Sequence, residues 1–67
     1  MDLTDRMVFE RKYRKLSRKS VAKEMGITVR TLWKLETGRQ KITTDHLDKF
    51  AYVIGCEILI LFNDKNK

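Results

Sequence analysis

Arg30 and Lys34 lie four residues apart, one helical turn if the stretch 29–36 is a helix, and both can donate hydrogen bonds to a base edge. Arg30 carries the planar fork that fits guanine O6 and N7, Lys34 can donate to the same kind of edge, and Val29 can meet a thymine methyl. Trp33 falls between the two cations. Its indole either lies along a sugar–phosphate backbone or packs against the next helix. Arg18 and Lys19 stand at the first turn of the preceding helix, where unpaired amides favour an anion, so both are candidate phosphate contacts. Thr37, Arg39, Gln40 and Lys41 form a polar, basic loop of the kind that straddles a phosphate backbone. Together these residues could read a duplex: Val29, Arg30 and Lys34 at the bases, and Arg18, Lys19, Trp33, Thr37, Arg39 and Lys41 at the backbone. The bland alternative is an ordinary solvated helix with basic side chains.

The whole chain favours a polyanionic partner. Fifteen Lys and Arg against nine Asp and Glu leave a net charge of +6 on 67 residues, although a basic surface also serves solubility. The length limits the chain to one small domain, read as spanning 1–67. With 42% hydrophobic residues, no proline and three glycines, it should be folded and mostly helical. A single cysteine, Cys56, excludes an internal disulfide. No charged-then-apolar leader opens the chain and no apolar run approaches the roughly 20 residues a bilayer requires, which together suggest a cytoplasmic location. One His, one Cys, no glycine-rich phosphate loop and no metal-ligand spacing argue against an enzyme, a metal or a cofactor. His46, beside Asp45 and Asp48, reads as a solvated surface residue.

Four helices are expected to position these side chains. Thr4 can cap the first, which runs to about Tyr13 and turns Leu3, Met7 or Val8, and Tyr13 inward. Ser17 caps the second, whose apolar set Val21, Ala22 and Met25 fits one helical face, and Gly26 ends it with Ile27 folding back over the preceding turn. Thr28 caps the third, 29–36, with Leu32 and Leu35 inward and Gly38 closing it. Thr43 or Thr44 caps a fourth that buries Leu47, Phe50, Ala51 and Ile54 and stops at Gly55.

The period then breaks. In 56–62 nearly every residue is apolar, which suits a strand buried on both faces, although a run this short also fits a fifth helix. A lone strand would leave its backbone groups unpaired. Antiparallel pairing of Ile58, Leu59, Ile60, Leu61 and Phe62 with the same residues of a second copy resolves this and predicts a dimer.

Leu16-Ser17, Val21-Ala22, Gly26-Ile27-Thr28, Thr31-Leu32 and Leu35-Glu36-Thr37-Gly38 resemble the Cro/CI-type (XRE-like) helix-turn-helix family of phage and bacterial repressors over residues 7–55. The resemblance implies a mainly α fold with its helix-turn-helix at 17–36. It also implies base reading by Val29, Arg30 and Lys34, a phosphate contact from Arg18, and a partly buried structural salt bridge between Arg11 and Glu36. The position before Arg11, usually apolar in the family, is here Glu10, which implies a rotated or shifted first helix. The ending resembles the subset that includes HipB-like antitoxins, whose last strand builds a sheet between subunits. The expected function is a homodimeric repressor of a near-palindromic DNA operator. The alternative is an antitoxin or adaptor that binds a toxin or other protein and autoregulates its operon, although the five-residue tail 63–67 is too short to wrap such a partner.

Overall fold

The computed structural model describes residues 2–57. It places four helices among them: α1 (Leu3–Tyr13), α2 (Arg18–Met25), α3 (Val29–Glu36) and α4 (Thr44–Ile54). Each helix starts where a side chain can accept from an otherwise unpaired amide. Ser17 accepts from the Ser20 amide and Thr28 from the Thr31 amide, both at 3.0 Å, and Thr43 accepts from the His46 amide at 3.1 Å. α1 begins earlier than a Thr4 cap requires. Asp2 is its cap, accepting from the Asp5 amide at 2.9 Å, and Thr4 lies inside the first turn with its hydroxyl donating to the same carboxylate.

α2 and α4 stop at left-handed glycines, Gly26 at φ +77° and Gly55 at φ +81°. At both ends the next amide reaches back over the last turn, Ile27 to the Ala22 carbonyl and Cys56 to the Ala51 carbonyl, each at 3.0 Å. α3 ends at Glu36 with Thr37 as its cap, and Gly38 at φ +78° then turns the chain away.

α2 packs on α3 and α4, and α1 on α3. Met7, Val21, Leu32, Leu35 and Phe50 are the largest fully buried side chains, with Ala22, Met25, Leu47, Ala51 and Ile54 completing the core. Burying a side chain of this size stabilises a fold by about 1.5–3 kcal/mol, so these few residues carry most of what a small domain has. The face that α1 turns inward differs from expectation. Tyr13 is 72% exposed, and Met7 shares the buried side with two charged residues, Glu10 and Arg11. Cys56 and Glu57 lie in neither a helix nor a strand, and the expected strand residues Ile58 to Phe62 fall outside the described residues.

Candidate nucleic-acid interface

α3 turns Leu32, Leu35 and Glu36 into the body of the domain, which leaves Val29 and Arg30 exposed and Lys34 half-buried on its outer side. Val29 is 44% exposed. The first turn of the helix therefore presents an apolar group and a guanidinium, with an ammonium one turn further on.

Glu36 fixes how this helix sits. Its side chain is fully buried, and its carboxylate accepts from Arg11 Nε at 2.7 Å and Arg11 Nη2 at 3.0 Å. Arg11 Nη1 donates to the Leu16 carbonyl at 2.9 Å, so one guanidinium joins α1, the loop before α2 and the end of α3. A second arginine, which helical spacing does not predict here, completes the cluster: Arg18 Nε donates to Glu36 Oε1 at 3.0 Å. About a third of the Arg18 side chain stays exposed, and its two Nη groups make no hydrogen bond among the described residues. Arg18, at the start of α2, is thus tied to α3 through its Nε, and the outer half of its fork is left without a hydrogen bond among the described residues, as a phosphate contact would require.

Glu10 stands next to Arg11 on the buried side of α1. Arg11 still reaches Glu36, and Glu10 is accommodated by its own helix, accepting from Arg6 Nε at 3.0 Å and Arg14 Nη1 at 2.6 Å. Burial alone would raise the Glu10 pKa. The hydrogen bonds and charges of Arg14 and Arg6 outweigh it and hold the carboxyl below its ordinary value. Cys56 packs against the core, and burial pushes its thiol up, opposed mainly by Arg14.

Trp33 is half-buried, and Arg39 stacks on it with the guanidinium carbon 4.6 Å from the ring centroid. A guanidinium stacked by its face keeps its N–H groups in the plane and available. Arg18, Val29, Arg30 and Trp33 line a cleft of about 290 Å³ between the starts of α2 and α3. Thr37 is less available than expected, because its hydroxyl donates to the Trp33 carbonyl at 2.7 Å and a phosphate contact would have to break that bond. Lys19, Arg39 and Lys41 are exposed and Gln40 half-buried, while the Arg39 and Gln40 amides both return to the Lys34 carbonyl. His46 is half-buried at the surface, with Nδ1 3.1 Å from the hydroxyl of the α4 cap, Thr43.

The helix-turn-helix arrangement, with a capped, outward-facing third helix braced from α1 and α2, is matched by a family comparison: the family described as helix-turn-helix covers residues 10–61. The chain belongs to the XRE-type helix-turn-helix family. This is a family of DNA-binding regulators, and the match takes in α2, α3 and α4 entire along with the C-terminal part of α1. No curated protein and no solved structure matches the chain. No helix among the described residues of this helix-turn-helix protein is long and apolar enough to cross a membrane.

Proposed function

We propose that this protein is a homodimeric, sequence-specific repressor that reads a near-palindromic operator, with α3 as its recognition helix. The observation that carries this reading is the exposed part of α3, where Val29 and Arg30 are exposed and Lys34 is half-buried while Leu32, Leu35 and Glu36 are buried. Val29 and Arg30, nearest the start of the helix, enter the groove deepest and specify sequence, and Lys34 follows. Arg18 and Lys19 grip phosphates on one side of the groove, and Arg39 and Lys41 on the other. The net charge of +6 supports that grip. The apolar residues Ile58 to Phe62 supply the second copy's binding surface, by strand pairing across a two-fold axis. That puts two recognition helices about 34 Å apart on one face of the duplex.

The test is selection of the purified protein on a random duplex library at about 150 mM salt, followed by sequencing of the enriched pool. A two-fold symmetric motif with half-sites about one helical turn apart is expected. Salt-sensitive bulk binding without enrichment would overturn the reading and turn the search toward a protein partner, as in a toxin–antitoxin pair.

A further inference from the structure

The loop after α3 is tied back to the helix it follows. Gly38, at φ +78°, turns the chain, and the Arg39 and Gln40 amides donate to the Lys34 carbonyl at 2.9 and 3.3 Å. The Thr37 hydroxyl donates to the Trp33 carbonyl at 2.7 Å. These bonds fix the backbone at Arg39 and leave its long side chain to be placed by another contact. That contact is the half-buried indole of Trp33, with the Arg39 guanidinium carbon 4.6 Å from the ring centroid. It differs in kind from the contact that holds Arg18. Arg18 gives its Nε to the Glu36 carboxylate, whereas an aromatic face takes none of the guanidinium N–H groups of Arg39 and neutralises none of its charge. The stacked arginine keeps its whole donor set. It also lacks the rotamer freedom that a free arginine loses on binding.

We propose that Trp33 is a positioning residue: it touches no part of the duplex and acts through Arg39, holding that guanidinium in the orientation in which it meets a backbone phosphate. The inference rests on Arg39 being a phosphate contact and assigns the indole a role different from both uses its sequence position suggests, along the backbone or against the next helix. A phosphate carries no base identity, so the contribution of Trp33 is the same on every sequence. Ordering one arginine in advance is worth about fivefold in affinity, the equivalent of ~1 kcal/mol.

The experiment uses the whole chain, the duplex preferred in library selection and an unrelated duplex of equal length, with affinity read by fluorescence anisotropy at several salt concentrations. Trp33→Leu should bind both duplexes about fivefold more weakly with an unchanged salt slope, because Arg39 still neutralises its phosphate. Trp33→Phe keeps an aromatic face and should recover most of that loss. Arg39→Ala should weaken binding and lower the slope of log K against log salt by about 0.9. In the double variant the leucine should add nothing to the loss from Arg39→Ala, since the ring then has no guanidinium to hold. Trp33 is the sole tryptophan, so its emission in the free chain reports the stack without altering the half-buried ring, and Arg39→Ala should shift it. The proposal is overturned if Trp33→Leu costs as much in the Arg39→Ala background as in the native one, which would make the indole itself a contact, or if its cost is confined to the preferred duplex, which would make it a base reader. Unchanged emission in Arg39→Ala overturns it as well. An Arg39→Ala chain with native affinity and native salt slope would remove the phosphate reading of Arg39 and the proposal together, a result distinct from either of these.

Discussion

Two carboxylates of this domain are each held by a pair of arginines, and the two clusters do different work. Glu36 takes Arg11 and Arg18 from residues 25 and 18 positions away, and its side chain is fully buried. Glu10 takes Arg6 and Arg14, each four positions away on its own helix, and its side chain keeps 9% of its exposure. The first cluster is tertiary: it joins α1, the start of α2 and the end of α3, so breaking it frees α3. The second is local, and neutralises a charge on a face where the family usually places an apolar residue. Similar chemistry therefore carries a different cost of removal, set by how far the partners can turn toward water. Arg11 keeps 6% side-chain exposure, whereas Arg6 and Arg14 keep 23% and 26%.

The largest effect is expected from Glu36→Ala. It leaves the Arg11 guanidinium buried beside a cavity, and uncompensated charges of this kind cost about 3–5 kcal/mol. For a domain of this size that is a large share of a total that seldom exceeds ~5–15 kcal/mol, so urea melts should show a collapsed midpoint or no folded baseline. A loss below about 1 kcal/mol would abolish the distinction between the two clusters. Arg18→Ala should come next, with its main effect on binding. Every duplex should bind more weakly by a similar factor, and the slope of log K against log salt should fall by about 0.9 for each phosphate that is no longer neutralised. Its stability loss should be much smaller than that of Glu36→Ala, because Arg11 still holds the carboxylate and Arg18 is one-third exposed. Titrations of one duplex at several salt concentrations, beside the melts, separate the two effects.

The same contrast explains which parts of the molecule are legible in the sequence. α2, α3 and α4 are legible because their signals are local: hydroxyl caps at Ser17, Thr28 and Thr43, glycine stops, and apolar residues on one face. The outward positions of Val29 and Arg30 follow from that period. α1 resists because its buried side mixes Met7 with Glu10 and Arg11, so no apolar stripe marks it. Its cap is expected at Thr4, but the chain enters the helix two residues earlier and Asp2 takes the role. The pairing of Arg11 with Glu36 is available from family resemblance, whereas Arg18 on the same carboxylate is not, since its place at a helix start points to an anion in solution. A sharper signal is nonetheless present: a buried glutamate at the end of α3 can accept from more than one guanidinium. Arg39 on Trp33 is beyond the reach of helical spacing, because Gly38 folds the loop back after the helix ends.

The Glu10 cluster gives the smaller and more discriminating tests. Its carboxyl titrates below the ordinary value of 4.5, so its contribution is fully present above that ordinary value and fades as pH falls through the lower, folded one. Acid melts of the native chain and Glu10→Gln should run parallel near neutrality and converge once the pH has fallen below the lowered, folded value. Parallel curves throughout would mean that the arginine contacts do not hold the charged form. Glu10→Leu is expected to have the smallest effect of all. It removes a charge from a nearly buried site, supplies the apolar group the family normally places there, and leaves behind two arginines that are a quarter exposed and can turn to solvent. Stability at neutral pH should stay within about 1 kcal/mol of the native chain or rise above it. A loss of several kcal/mol would show that Arg6 and Arg14 are as dependent on their carboxylate as Arg11 is on Glu36, and that distance along the chain does not decide what an ion pair holds together.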